Sequence, residues 1–84
     1  MTSKGRIVLR DILAMLEKCA PGHTMHETDH FIRVTWRDRV HPRLPTGEHG
    51  KRQGRAEIQI PHVRKLARTL GIVECAKAQI EALR

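Results

Sequence analysis

Six histidines in 84 residues, three of them at His23, His26 and His30, are the first feature of this sequence that could carry chemistry. Imidazoles three and four residues apart converge on one metal ion when they ride on a helix. Here Pro21-Gly22 breaks the chain just before them and a strand pattern follows, so positions 26 and 30 share a face but stand ~13 Å apart at ~3.3 Å per residue, unless a hairpin turn between them folds them back. There is no Cys-x-x-Cys pair, and Glu27 and Asp29 flank the histidines without completing a ligand set. The expectation is no metal and no cofactor. Ser3 is the only serine and lies in the N-terminal tail, which leaves a serine hydrolase without its nucleophile. Gly47, Gly50 and Gly54 lack the Lys-Ser/Thr ending and the strand-to-helix setting of a phosphate-binding loop. What remains is His30 at the head of a strand beside abundant arginines. That kit suffices for phosphodiester transfer in RNA: an imidazole can take the 2′-hydroxyl proton or protonate the leaving oxygen, and guanidinium groups offset the charge gathering on phosphorus. The plain alternative is that His30 only satisfies its turn. Strand parity puts it with Ile32, Val34 and Trp36, so a twist or bulge would be needed to bring it out.

Lys and Arg number 16 against 9 Asp and Glu, a formal net charge of +7 with histidine neutral. A positive surface of this strength gathers polyanions and loosens steeply with salt, so nucleic acid is the leading partner class and an acidic protein the alternative. Phe31 and Trp36 are the only aromatic residues besides histidine, too few for a base-stacking platform, and recognition would lean on phosphates and shape. The candidate phosphate-binding cations are Arg33, Arg37, Arg39, Arg43, Lys51, Arg52 and Arg55, followed by Arg64, Lys65 and Arg68.

A chain this short holds one modest core and no second domain. Val8, Ile12, Met15, Leu16 and Cys19 make a helical stripe, which predicts a helix over Arg6–Ala20 after a flexible tail at 1–5, ended by Pro21-Gly22. A short edge strand is expected at His23–Glu27, a tight turn at Thr28-Asp29, and a clear strand over His30–Arg37. Residues 38–55, rich in Pro, Gly and basic side chains, read as a long exposed loop or a splayed hairpin tip. Ala56–Ile60 alternates as a second clear strand, His62–Leu70 is an amphipathic helix capped by Gly71, and Val73–Leu83 is a last helix with a thinner apolar stripe. The order is α+β: an N-terminal helix, two or three antiparallel strands, then one or two C-terminal helices covering one sheet face. Cys19 and Cys75 are expected as small buried thiols of a reducing compartment rather than as a disulfide. No apolar run approaches the ~18 residues a membrane span needs, and the cytoplasm is the default location.

Asp11-Ile12-Leu13-Ala14-Met15-Leu16-Glu17, the Pro21-Gly22 break, a turn delivering His30 into Phe31-Ile32-Arg33-Val34, and Ile58-Gln59-Ile60-Pro61-His62 leading to Leu70-Gly71-Ile72 together resemble the HicA family of small mRNA-cleaving toxins. The likeness spans roughly Val8 to Ile72. It implies a double-stranded-RNA-binding-domain-like fold, a metal-independent endoribonuclease of a toxin-antitoxin pair, His30 as the catalytic residue, and an acidic HicB-type antitoxin as protein partner. Thr28-Asp29 stands where that family has a small glycine-containing pair, which puts a carboxylate beside the histidine. The stretch 38–55 is longer than the family hairpin, and the helix at 73–84 is extra. Two other expectations stand beside this one: a non-catalytic basic nucleic-acid-binding module of the same fold, and a protein-interaction or inhibitor module completed by the last helix.

Overall fold

In the computed structural model of the chain, which describes residues 5–28, 30–46 and 56–84, the first apolar stripe divides in two. Arg6–Val8 is a short strand, β1, and Leu9–Cys19 is a helix, α1, with Leu9, Ile12, Met15, Leu16 and Cys19 buried. The expected helix therefore starts three residues late. β1 pairs antiparallel with β5 (Glu57–Gln59), which sets Ile7 opposite Ile58, both buried. The β-branched Ile7 and Val8 suit either conformation, and a partner strand some fifty residues away settles it.

Three strands form a separate antiparallel sheet: β2 (Thr24–Glu27), the central β3 (Phe31–Trp36) and β4 (Arg39–Pro45). The second clear strand of the sequence, Ala56–Ile60, belongs to the β1–β5 ribbon and not to this sheet. β4 corrects the expectation of a loop over 38–55, whose first part is strand. Register explains why. Ile32 lies opposite Leu44 and Val34 opposite His41, so Arg33 alone on β3 faces both Pro42 and Arg43 on β4. This two-against-one bulge breaks the period-two alternation and leaves Pro42 where a missing amide costs the ladder little. Ile32, Val34, His41 and Leu44 form the buried side of the sheet.

The helix α2 (Ile60–Leu70) packs on β4 and buries Val63, Leu66, Ala67 and Leu70. It begins two residues before the expected His62, because Pro61 in its first turn needs no amide partner there. Its end is doubly closed. Gly71 takes the left-handed conformation at φ 73°, its amide donates to the Arg68 carbonyl (3.1 Å), and the Ile72 amide donates to the Ala67 carbonyl (2.9 Å). Arg39 adds a guanidinium hydrogen bond to the Thr69 carbonyl at 3.2 Å. The expected last helix is shorter and broken: α3 (Val73–Gln79) is followed by a 3-10 turn at Glu81–Leu83. Ala76, Ile80 and Leu83 join α1, α2 and the sheet in one core cluster. No helix among the described residues is long and apolar enough to cross a membrane.

Cys19 and Cys75 are bonded to each other, a correction to the expectation of free thiols. The bond ties the end of α1 to α3 across a separation of 56 residues, and closing a loop of that length restricts the unfolded chain by up to about 4 kcal/mol in the chain-entropy account. The double variant Cys19→Ala/Cys75→Ala should lose about 2–4 kcal/mol of unfolding free energy in urea titrations. A midpoint equal to that of the oxidised chain would mean that the apolar contacts of α3 hold it alone.

Candidate nucleic-acid interface

His30 lies in the turn between β2 and β3, and its backbone is held from two sides. Thr28 donates its amide to the Phe31 carbonyl (2.8 Å), and the Phe31 amide donates to the Thr28 hydroxyl oxygen (3.2 Å). From the other flank, the Thr46 amide just beyond β4 donates to the His30 carbonyl at 2.9 Å. β3 starts one residue after His30, so the histidine escapes the parity that would have carried it inward with Ile32 and Val34. Its side chain is exposed, and its ring meets that of Phe31 edge to face, with centroids 6.3 Å apart. Arg43, turned outward by the bulge, sets its guanidinium carbon 5.3 Å from the centroid of the same Phe31 ring. One half-buried aromatic ring thus touches both an imidazole and a guanidinium.

The remaining side chains of this face follow from register. His26 on β2 lies directly opposite Arg33 on β3, and both are exposed. Thr24, Thr35 and Val40 continue the face along its length. Among the described residues of this face there is no carboxylate, since Glu27 is in register with the inward Ile32. The structure therefore brings together His26, His30, Arg33 and Arg43 on one open sheet surface.

Other cations assigned from the sequence lie elsewhere. Arg37 takes a left-handed φ of 57° in the β3–β4 turn and stacks 4.3 Å from the centroid of the Trp36 ring, a strand's length (~20 Å) from His30. Arg39 is bound to the end of α2 and lies against Gly71. Arg64, Lys65 and Arg68 are exposed on α2, which packs on the opposite, buried side of the sheet. Lys51, Arg52 and Arg55, like Asp29, lie outside the described residues. Comparison with protein-family models, curated proteins and solved structures gives no match. No cluster of metal-ligating side chains occurs among the described residues. Sequence reasoning missed Thr28, whose hydroxyl is a positioning group for the histidine turn; a threonine heading a tight turn is a recognised local hydrogen-bonding signal.

The histidine in the core is His41, not any of the clustered three. It is almost fully buried under α2, with Nδ1 3.4 Å from the Thr69 hydroxyl and no hydrogen-bond partner for Nε2. Burial, and next the nearby Lys65 ammonium, push its pKa below the usual 6.5, while a backbone hydrogen bond at Arg43 works in the opposite sense. The folded protein thus favours neutral His41, and the unfolded chain binds the extra proton first. Stability from this group is complete above pH 6.5 and is lost as the pH falls from 6.5 through the lower folded value. In His41→Phe the unfolding free energy should fall less between pH 7 and pH 5 than in the parent. An unchanged slope would assign the acid sensitivity to other groups.

Proposed function

We propose that this protein binds RNA across the open face of its three-stranded sheet and cleaves it with His30 by metal-independent transesterification. The observation that carries this is the setting of His30: an exposed imidazole on a turn closed by the Thr28–Phe31 hydrogen bonds and held through its carbonyl by the Thr46 amide, at the rim of a face that presents Arg33 and Arg43 and, among the described residues, no carboxylate. A general base must reach its proton while its position is held, and this arrangement provides both. The imidazole takes the proton of a 2′-hydroxyl, the 2′-oxygen attacks the adjacent phosphorus, and the 5′-oxygen leaves with a proton from solvent. Arg33 and Arg43 are placed to offset the charge that grows on the phosphoryl oxygens. His26 adds a further group that is cationic when protonated and faces the same strand path.

The order of helix, three antiparallel strands and helix agrees with the fold that the HicA resemblance implies, and on that resemblance an acidic antitoxin would cover the same face. The cytoplasm, where messenger RNA is translated, is the compartment that goes with this function. A reducing cytosol would keep Cys19 and Cys75 as thiols, and α3 would then rest on Ala76, Ile80 and Leu83.

The decisive comparison is cleavage of a messenger RNA by the wild-type chain and by His30→Ala, with a metal chelator present. The expected loss is about 10²–10⁴-fold in rate with RNA binding retained. Arg33→Ala/Arg43→Ala should weaken binding of any sequence and flatten its salt dependence by about two phosphate contacts. Equal cleavage by His30→Ala would remove the histidine from the chemistry. Salt-sensitive binding with no cleavage by either chain would mark a non-catalytic basic module, and salt-insensitive behaviour toward polyanions would favour a protein-interaction role.

A further inference from the structure

Between α2, α3 and the 3-10 turn lies a cavity of about 330 Å³ whose rim is formed by Arg64, Arg68, Lys77 and Arg84. Its floor is apolar, formed by Ala67, Val73 and Leu83. None of the residues lining it is acidic. A carboxylate outside the lining, that of Glu74, engages the rim, with Oε2 3.8 Å from the Lys77 ammonium; that side chain is otherwise almost wholly in solvent. Arg84 is held in place by a hydrogen bond from its Nε to the Lys77 carbonyl at 3.1 Å. Sequence spacing accounts for the rest: Arg64 and Arg68 are one helical turn apart on α2, beside the buried Ala67.

Four cations around one concavity repel one another, and an anion seated between them relieves that cost. Guanidinium groups suit the oxygens of a phosphate, which they bind in pairs of hydrogen bonds. The rim side chains are donors only, so they would take phosphate oxygens and ring acceptors without reading one base against another. The volume lies at the small end of ligand-binding cavities, large enough for a ring and a phosphate together. We infer that this cavity is a binding site for a single nucleotide carrying a terminal phosphate, with the phosphate on Arg64 and Arg68 and the base or sugar on the apolar floor. The site lies on the helical side of the molecule, away from the sheet face of His30, and does not depend on cleavage there.

The test uses the full oxidised chain and isothermal titration with adenosine monophosphate, inorganic phosphate and unphosphorylated adenosine. The mononucleotide should bind more tightly than either part alone. Arg64→Ala/Arg68→Ala should lose about tenfold or more in affinity, while Arg33→Ala/Arg43→Ala, with the same loss of charge, should leave it unchanged. Both pairs are exposed, so circular dichroism of the variants should match the parent. Inorganic phosphate binding as tightly as the mononucleotide would overturn the proposal, because the floor would then contribute nothing. Equal losses in the two double variants would overturn it as well, since the attraction would then be diffuse. Displacement of the mononucleotide by a 5′-phosphorylated hexanucleotide, but not by its 5′-hydroxyl form, assigns the site to RNA strand ends. Displacement by neither assigns it to free mononucleotides. His30→Ala should bind the mononucleotide like the parent, so failure of this site and failure of the cleavage mechanism are read separately.

Discussion

Burial of His41 and Leu44 on the same side of β4, three residues apart, is the constraint on which the rest of the molecule turns. A regular strand would send one of them to solvent. The bulge at Pro42-Arg43 resolves the conflict and has effects on both sides of the sheet. Inward, it sets His41 and Leu44 of β4 beside Val34 and Ile32 of β3 on the buried side, where α2 packs on β4. Outward, it delivers Arg43 across Phe31, and it brings Thr46 level with His30 so that the histidine turn gains its hydrogen bond from the neighbouring strand. The core and the candidate site are two consequences of one local irregularity.

Much of this architecture was legible where a segment's own pattern determines its fate. α2 with its Gly71 ending, the body of α1 and the central strand β3 follow from periodicity and punctuation within a dozen residues. β4 did not, because the bulge erases alternation and its prolines imitate a loop. β1 did not, because Ile7 and Val8 fit a helical stripe equally well until Ile58 is brought alongside. The pairing of Cys19 with Cys75 was hidden for a similar reason, since it depends on how α3 docks on α1 and not on anything near either cysteine.

Site residues divide along the same line. His30 stood out by type and by its place at a strand head, yet its exposure depends on β3 starting one residue later, which strand parity alone could not tell. Arg33 and Arg43 lie exposed on the open sheet face, on the same side as Phe31. Arg39 is diverted to a helix end by a tertiary neighbour, the Thr69 carbonyl, and Arg37 to the ring of the preceding Trp36 by the left-handed backbone of the β3–β4 turn. Cationic composition raised the expectation of a polyanion, whereas the separation of cations into a flat strand face and a helical concavity exists only once the chain has folded.

The bond between Cys19 and Cys75 also changes the connectivity of the molecule. It turns residues 19–75 into a covalent ring that contains the whole three-stranded sheet, β5 and α2, with β1, most of α1 and the final turns as tails. A single backbone cut anywhere inside the ring opens it without dividing the molecule. The oxidised protein therefore has a nicked form that remains one covalent molecule and separates into fragments only when the sulfurs are reduced and the strands come apart.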